Sequence, residues 1–202
     1  MTKNEIIHSF MKELSVKDKP DRIKFIIGES KYKDEENIIE LRAYPFVEVA
    51  FFRKNNTPHK CLTRILNLIL GTDNSDKFLE FLKKEKLDQK YAVNYFKDYH
   101  NIYFVNFFKS NNSFAKSNTN TNANINEIKK FLEKHKNDEI DVLFIGSRAK
   151  KYFPMFNPEN TNIFAIAHPQ RAQNAMWKEF DFAGDEFWNS SEVIIKHFRI
   201  LK

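Results

Sequence analysis

Apolar positions along this chain fall into two alternating rhythms. Ile6, Ile7, Phe10, Met11 and Leu14 recur at three- and four-residue spacing, which predicts an amphipathic helix over residues 2–15, packed on a sheet. Thr2 with Glu5 three residues on predicts a capping box at its start. His8 lies off the stripe and is expected at the surface. After a charged turn with Pro20, the run Ile23-Lys24-Phe25-Ile26-Ile27 reads as a buried strand ending at Gly28. A carboxylate, a hydroxyl, a cation and a phenol follow at once, as Glu29, Ser30, Lys31 and Tyr32.

Residues 33–60 lack a clean period. Tyr44-Pro45-Phe46 and Phe51-Phe52 are aromatic clusters there, open to reading as core or as a stacking surface for a flat ligand. Thr57-Pro58 can open a helix that runs to about Leu70, with Leu62, Ile65, Leu66 and Ile69 on one face and Gly71 as its stop. Ser75 to Lys84 reads as a short helix. Leu87 to Tyr99 is ambiguous, although Tyr91, Tyr95 and Phe96 favour a helix.

Asn101 to Asn106 is a second buried strand. Ser110 to Asn126 is rich in Asn, Ser and Thr and reads as a mobile loop within the domain. Ile125 to His135 reads as a helix with Ile128, Phe131 and Leu132 inward. Asp141 to Ile145 is a third strand ending in Gly146, and Ser147 can cap a short helix through Lys151. Asn162 to Ala167 is a fourth strand that delivers His168-Pro169. Glu192 to Leu201 is apolar enough to dock, as a helix or as an edge strand.

Strands alternating with helices imply an α/β fold, a three-layer sandwich around a mostly parallel four-stranded sheet. The 202 residues suit a single domain spanning 1–202. In such sheets polar groups at the carboxyl ends of strands converge on one crevice. The candidates are Glu29 and Ser30, Asn106, Ser147 with Arg148, and His168.

Composition narrows the chemistry. A single cysteine, Cys61, excludes an intramolecular disulfide, a four-cysteine zinc site and a cysteine-held iron–sulfur cluster, and reads as a small core residue. No P-loop, G-x-G-x-x-G or H-E-x-x-H motif is present, so no cofactor and no metal is expected. No apolar run reaches membrane-spanning length and no signal-peptide core follows Met1, so the expectation is a cytoplasmic protein without a membrane partner. The net charge of +6 suits a polyanionic partner such as nucleic acid, and equally a lysine-rich solvated surface.

Four short motifs, in order, resemble those of the uracil-DNA glycosylase superfamily. Gly28-Glu29-Ser30-Lys31-Tyr32 is similar to the family's first motif. Tyr103 to Lys109 is similar to the strand carrying its base-reading asparagine. Leu143 to Ala149 resembles its glycine-ended third strand, and Ile166-Ala167-His168-Pro169-Gln170 its His-Pro-Ser motif. The resemblance covers about Ile23 to Trp177.

That resemblance implies a DNA glycosylase fold and a site. Asn106 would read the base edge, its amide complementary to the N3–H and O4 of uracil. His168 would donate a hydrogen bond to O2 as the base departs, and Glu29 would position the attacking water. Tyr32 would wall off carbon 5 of the pyrimidine. Phe46, preferred to Phe51, would stack on the base, and Ser30 would line the substrate pocket. Lys31, Lys109, Arg148 and Arg171 would meet DNA.

The departures are equally specific. Ser30 and Lys31 stand where the best-known branch has Asp and Pro, so Glu29 inherits the role of base, as in a branch with Glu at that position. That branch holds an iron–sulfur cluster, which one cysteine forbids here. Gln170 replaces the family's Ser. A catalytically lapsed relative that binds nucleic acid or a protein is therefore the alternative, and a small-molecule α/β enzyme a third reading. Oligomeric state is left open by the sequence.

Overall fold

The computed structural model describes residues 2–16, 22–30, 49–52, 60–108, 122–146, 159–166, 168 and 191–201. The elements in chain order are α1 (Lys3–Glu13), β1 (Ile23–Ser30), α2 (Lys60–Leu70), α3 (Thr72–Lys84), α4 (Gln89–His100), β2 (Ile102–Phe108), α5 (Asn122–Lys134), β3 (Ile140–Ile145), β4 (Thr161–Ile166) and α6 (Ser191–Phe198).

Local chemistry accounts for most boundaries. The Glu5 amide donates to Thr2 Oγ1 at 3.3 Å and the Thr2 amide to Glu5 Oε2 at 2.7 Å, which closes the expected capping box. Gly71 stops α2, as expected, and also opens α3. At φ +76° it takes a conformation that suits glycine, so α3 starts at Thr72 rather than Ser75. The ambiguous stretch before Tyr99 is helical. Asp88 caps α4 by accepting from the Lys90 amide at 3.1 Å, and Asn101, left-handed at φ +54°, ends it. α5 begins at Asn122, so residues 122–126 are helical rather than part of the expected loop.

Two expectations for α1 need correction. It packs on other helices, with Phe10 stacked on Phe81 of α3 at 4.1 Å and His8 stacked on Tyr99 of α4 at 4.5 Å. His8 is therefore half-buried, because the edge of the apolar stripe meets a tyrosine.

The four strands form one sheet in the order β2-β1-β3-β4, and every pairing is parallel. The strands are near-continuously apolar because both faces are covered. On one face Phe25 and Tyr103 stack at 5.5 Å, and Phe131 of α5 meets each of them at 5.4 and 5.2 Å. On the other, Phe104 meets Phe96 of α4 at 5.8 Å, and Phe164 meets Phe198 of α6 at 5.8 Å. Phe25, Phe52, Phe78, Phe96, Phe104, Phe144 and Phe198 are fully buried, each burial contributing about 1.5–3 kcal/mol. Cys61 lies in this core.

The C-terminal segment takes the helical form of the two the sequence allowed and adds no strand to the sheet. α6 docks as a helix. Beyond it the Ile200 amide donates to the Ile69 carbonyl at 3.0 Å, and Leu201 makes an antiparallel bridge to Val16.

Candidate functional site at the carboxyl edge of the sheet

Because all four strands run the same way, their carboxyl ends share one edge. Asn106 lies near the end of β2, in register with Gly28 of β1, and is only 3% exposed. Residues in register on parallel strands share a face, so the Asn106 side chain lies beside the bare Cα of Gly28. A Cβ at Gly28 would stand 2.9 Å from Asn106 Oδ1 and 3.0 Å from Phe51 Cζ. The glycine, the carboxamide and the phenyl ring thus meet at one point.

Phe51 reaches that point through a short backbone tie. Val49 forms an antiparallel bridge with Val105, and the Ala50 amide donates to the Phe104 carbonyl at 3.3 Å. Phe52 then meets Phe104 edge-on at 4.8 Å, while Phe51 takes φ +71°. A bulky residue in that region is strained, and such strain persists only where the surroundings over-determine it.

The second half of the site is built on β3. Gly146 donates its amide to the Ile166 carbonyl at 2.8 Å and turns at φ +96°. A side chain starting there would meet His168 Cβ at 3.3 Å and Cδ2 at 3.6 Å. His168, which follows β4, therefore lies over the end of the neighbouring strand. β1 and β3 are adjacent, with Ile27 opposite Phe144 and a spacing of about 4.8 Å.

Glu29 and Ser30 are the last two residues of β1, and Ser30 is in register with Phe108. Lys31, Tyr32, Phe46, Lys109, Ser147, Arg148, Gln170 and Arg171 lie outside the described residues. Phe51, which the sequence placed second to Phe46, is the aromatic of that pair that the described residues include, and its ring lies beside Gly28. A left-handed backbone at a phenylalanine leaves no mark in the periodicity, and only its place after the Val49–Val105 bridge reveals it.

A second polar group sits at the opposite, amino edge. Asp141 is 1% exposed and accepts from Arg22 Nε and from Asn162 Nδ2, each at 2.9 Å, with His197 Nδ1 at 3.4 Å. Lys24 Nζ donates to the His197 carbonyl, and Arg22 also pairs with Glu139. This network ties α6 to the first residues of β1, β3 and β4. A groove of about 570 Å³ near it is lined by Lys129, Lys136, Ile140 and Thr161, and holds none of the candidate residues.

Among the described residues no group of three or more His, Cys, Asp or Glu is placed to hold a metal ion. No helix among them is long and apolar enough to cross a membrane.

The fold and site thus define an α/β protein whose parallel sheet presents a buried amide, an imidazole and an aromatic ring at its carboxyl edge. No family model matches the chain. No curated protein matches it. Among solved structures it is similar to wild-type UNG from Nitratifractor salsuginis, with 14% identity, 90% of this chain and 74% of that one covered, and a TM-score of 0.44. A mutant of the same UNG is similar at 14% identity, covering 79% of this chain and 72% of that one, again with a TM-score of 0.44.

Proposed function

We propose that this protein is a DNA glycosylase of the uracil-DNA glycosylase type, hydrolysing the N-glycosidic bond of uracil or another altered base flipped out of DNA. The observation that carries the reading is the buried Asn106 carboxamide beside Gly28 and Phe51 at the sheet's carboxyl edge. A base must leave the stack before its glycosidic bond can be reached, so the pocket needs an edge reader and a face to stack on. Asn106 supplies the reader and Phe51 the face. Phe46 is then a second aromatic for the same pocket.

In the reaction, water adds to C1′ of the deoxyribose while the C1′–N bond breaks and its electron pair leaves on the base. Negative charge grows on O2. His168 donates a hydrogen bond there, an interaction typically worth about 2.7–4 kcal/mol in a preorganised site. Glu29 orients the water and takes its proton, a contribution of roughly 10²–10⁴-fold. Ser30 and Tyr32 line the pocket, and Tyr32 excludes a methyl at carbon 5. Lys31, Lys109, Arg148 and Arg171 grip the phosphate backbone.

Cleavage of a uracil-containing oligonucleotide after hot alkali tests this reading, in single and double strands, with hypoxanthine and modified cytosine alongside. Strand scission at the altered base is the expected result. Tight, salt-sensitive DNA binding with no turnover of any of these substrates would replace it with the lapsed, binding-only reading.

A further inference from the structure

We infer that Gly28 is a positioning residue of this site: its missing side chain sets where the Asn106 carboxamide and the Phe51 ring sit, and so which bases the pocket accepts. The consequence for bases rests on the glycosylase reading, whereas the geometry stands without it.

Glycine is not required at position 28 by its backbone. The positive-φ glycines among the described residues are Gly71 and Gly146, and Gly28 lies within an ordinary run of strand. A glycine inside a strand weakens it and commonly marks a close approach of another group. The approach here is specific. An added Cβ would stand 2.9 Å from Asn106 Oδ1, 3.0 Å from Phe51 Cζ and 3.4 Å from Phe51 Cε1. At those distances one of the two neighbours has to move.

Neither neighbour can retreat into water. Asn106 is 3% exposed and is held on β2 by its pairing with β1. Phe51 is 6% exposed, and its backbone is anchored by the Val49–Val105 bridge. A methyl group at position 28 therefore displaces the amide, the ring or both along the sheet edge. Hydrogen-bond readout of a base depends steeply on such placement, and a misplacement of about 1 Å can lower the rate roughly 10²-fold. Gly146 makes a poorer probe, because its φ of +96° would strain any side chain regardless of the space available.

The test is Gly28→Ala assayed on single-stranded oligonucleotides carrying uracil, hypoxanthine or cytosine, with kcat and KM measured separately. The expected result is about 10²-fold lower kcat/KM on uracil, with the preference for uracil over the other bases reduced about tenfold. Wild-type kinetics would overturn the inference. So would an equal loss on every base with KM unchanged, since that reports only fewer folded molecules.

If Gly28→Ala does not fold, Gly28→Ala/Phe51→Leu gives back room beside the added methyl. Compared with Phe51→Leu alone, it is expected to show the same reduced base preference, and an unchanged preference would overturn the inference. If the wild-type protein excises no base, the glycosylase reading fails by itself. The Asn106 side-chain amide resonances in ¹⁵N NMR then decide: a shift in Gly28→Ala supports the positioning role, and unmoved resonances remove it.

Discussion

His168 packs against Gly146, its Cβ 3.3 Å from the point where a side chain on that glycine would begin. The glycine is also at φ +96°, so two separate reasons forbid a larger residue. Gly146→Ala is expected to destabilise by about 1–3 kcal/mol from backbone strain alone. For a chain of this size that is a fall in Tm of roughly 2–4 °C per kcal/mol. Base excision should fall further than the loss of folded protein explains, because the imidazole is pushed from its place. Thermal melts beside excision assays check both parts, and full excision per folded molecule would remove His168 from the site.

Asn106→Ala and His168→Ala should each lower excision of uracil about 10²–10³-fold, the usual effect of removing one preorganised hydrogen-bonding group. Single-turnover rates on a uracil-containing oligonucleotide measure this. DNA binding should persist in both variants, since phosphate contacts do not depend on the pocket. A rate unchanged by either substitution counts against the role given to that residue.

Asp141 predicts the opposite pattern. Asp141→Ala leaves the Arg22 guanidinium and Asn162 Nδ2 without their carboxylate. Because Arg22 is partly exposed and keeps Glu139, losing these hydrogen bonds is expected to destabilise by about 1–3 kcal/mol. Urea unfolding should show a lower midpoint with little change in slope. Because the network lies at the amino edge, excision per folded molecule should be retained.

Alkaline pH should unfold the protein partly through two tyrosines. Burial holds the Tyr95 phenol well above its ordinary value, and Tyr99 beside it adds to the rise. Tyr103 is raised too, by burial first and then by Asp98. Above about pH 10 the unfolded chain releases these protons while the folded one keeps them. The folded state then binds more protons, so stability falls as pH rises. The contribution is complete below about pH 10 and is lost progressively above it. Tyr95→Phe should flatten that decline in denaturant titrations between pH 9 and 11.

Much of the fold was legible because local rules and tertiary packing agree. The Thr2–Glu5 box and the helix stop at Gly71 follow from chemistry within a few residues of each position, whereas β1 runs past the expected end at Gly28 to Ser30, because its pairing with β2 continues to Phe108. The start of α3 was less legible, because Gly71 serves two helices at once. His8 was misplaced because exposure depends on Tyr99, which is remote in sequence. The place of Phe51 beside Gly28 was not legible, because nothing in residues 33–60 shows which residues are drawn across β1.

What the sequence by itself determined was the set of strands, their apolar character and the polar residues at their ends, since these depend on residue type and spacing. Only the tertiary structure decided that β1 and β3 lie side by side between β2 and β4, and that Asn106 stands beside Gly28 and His168 beside Gly146. Strand order and side-chain placement depend on contacts between residues far apart in the chain. A glycine's empty space, such as that filled by Asn106 Oδ1 and Phe51 at Gly28, has meaning only once those neighbours are in place.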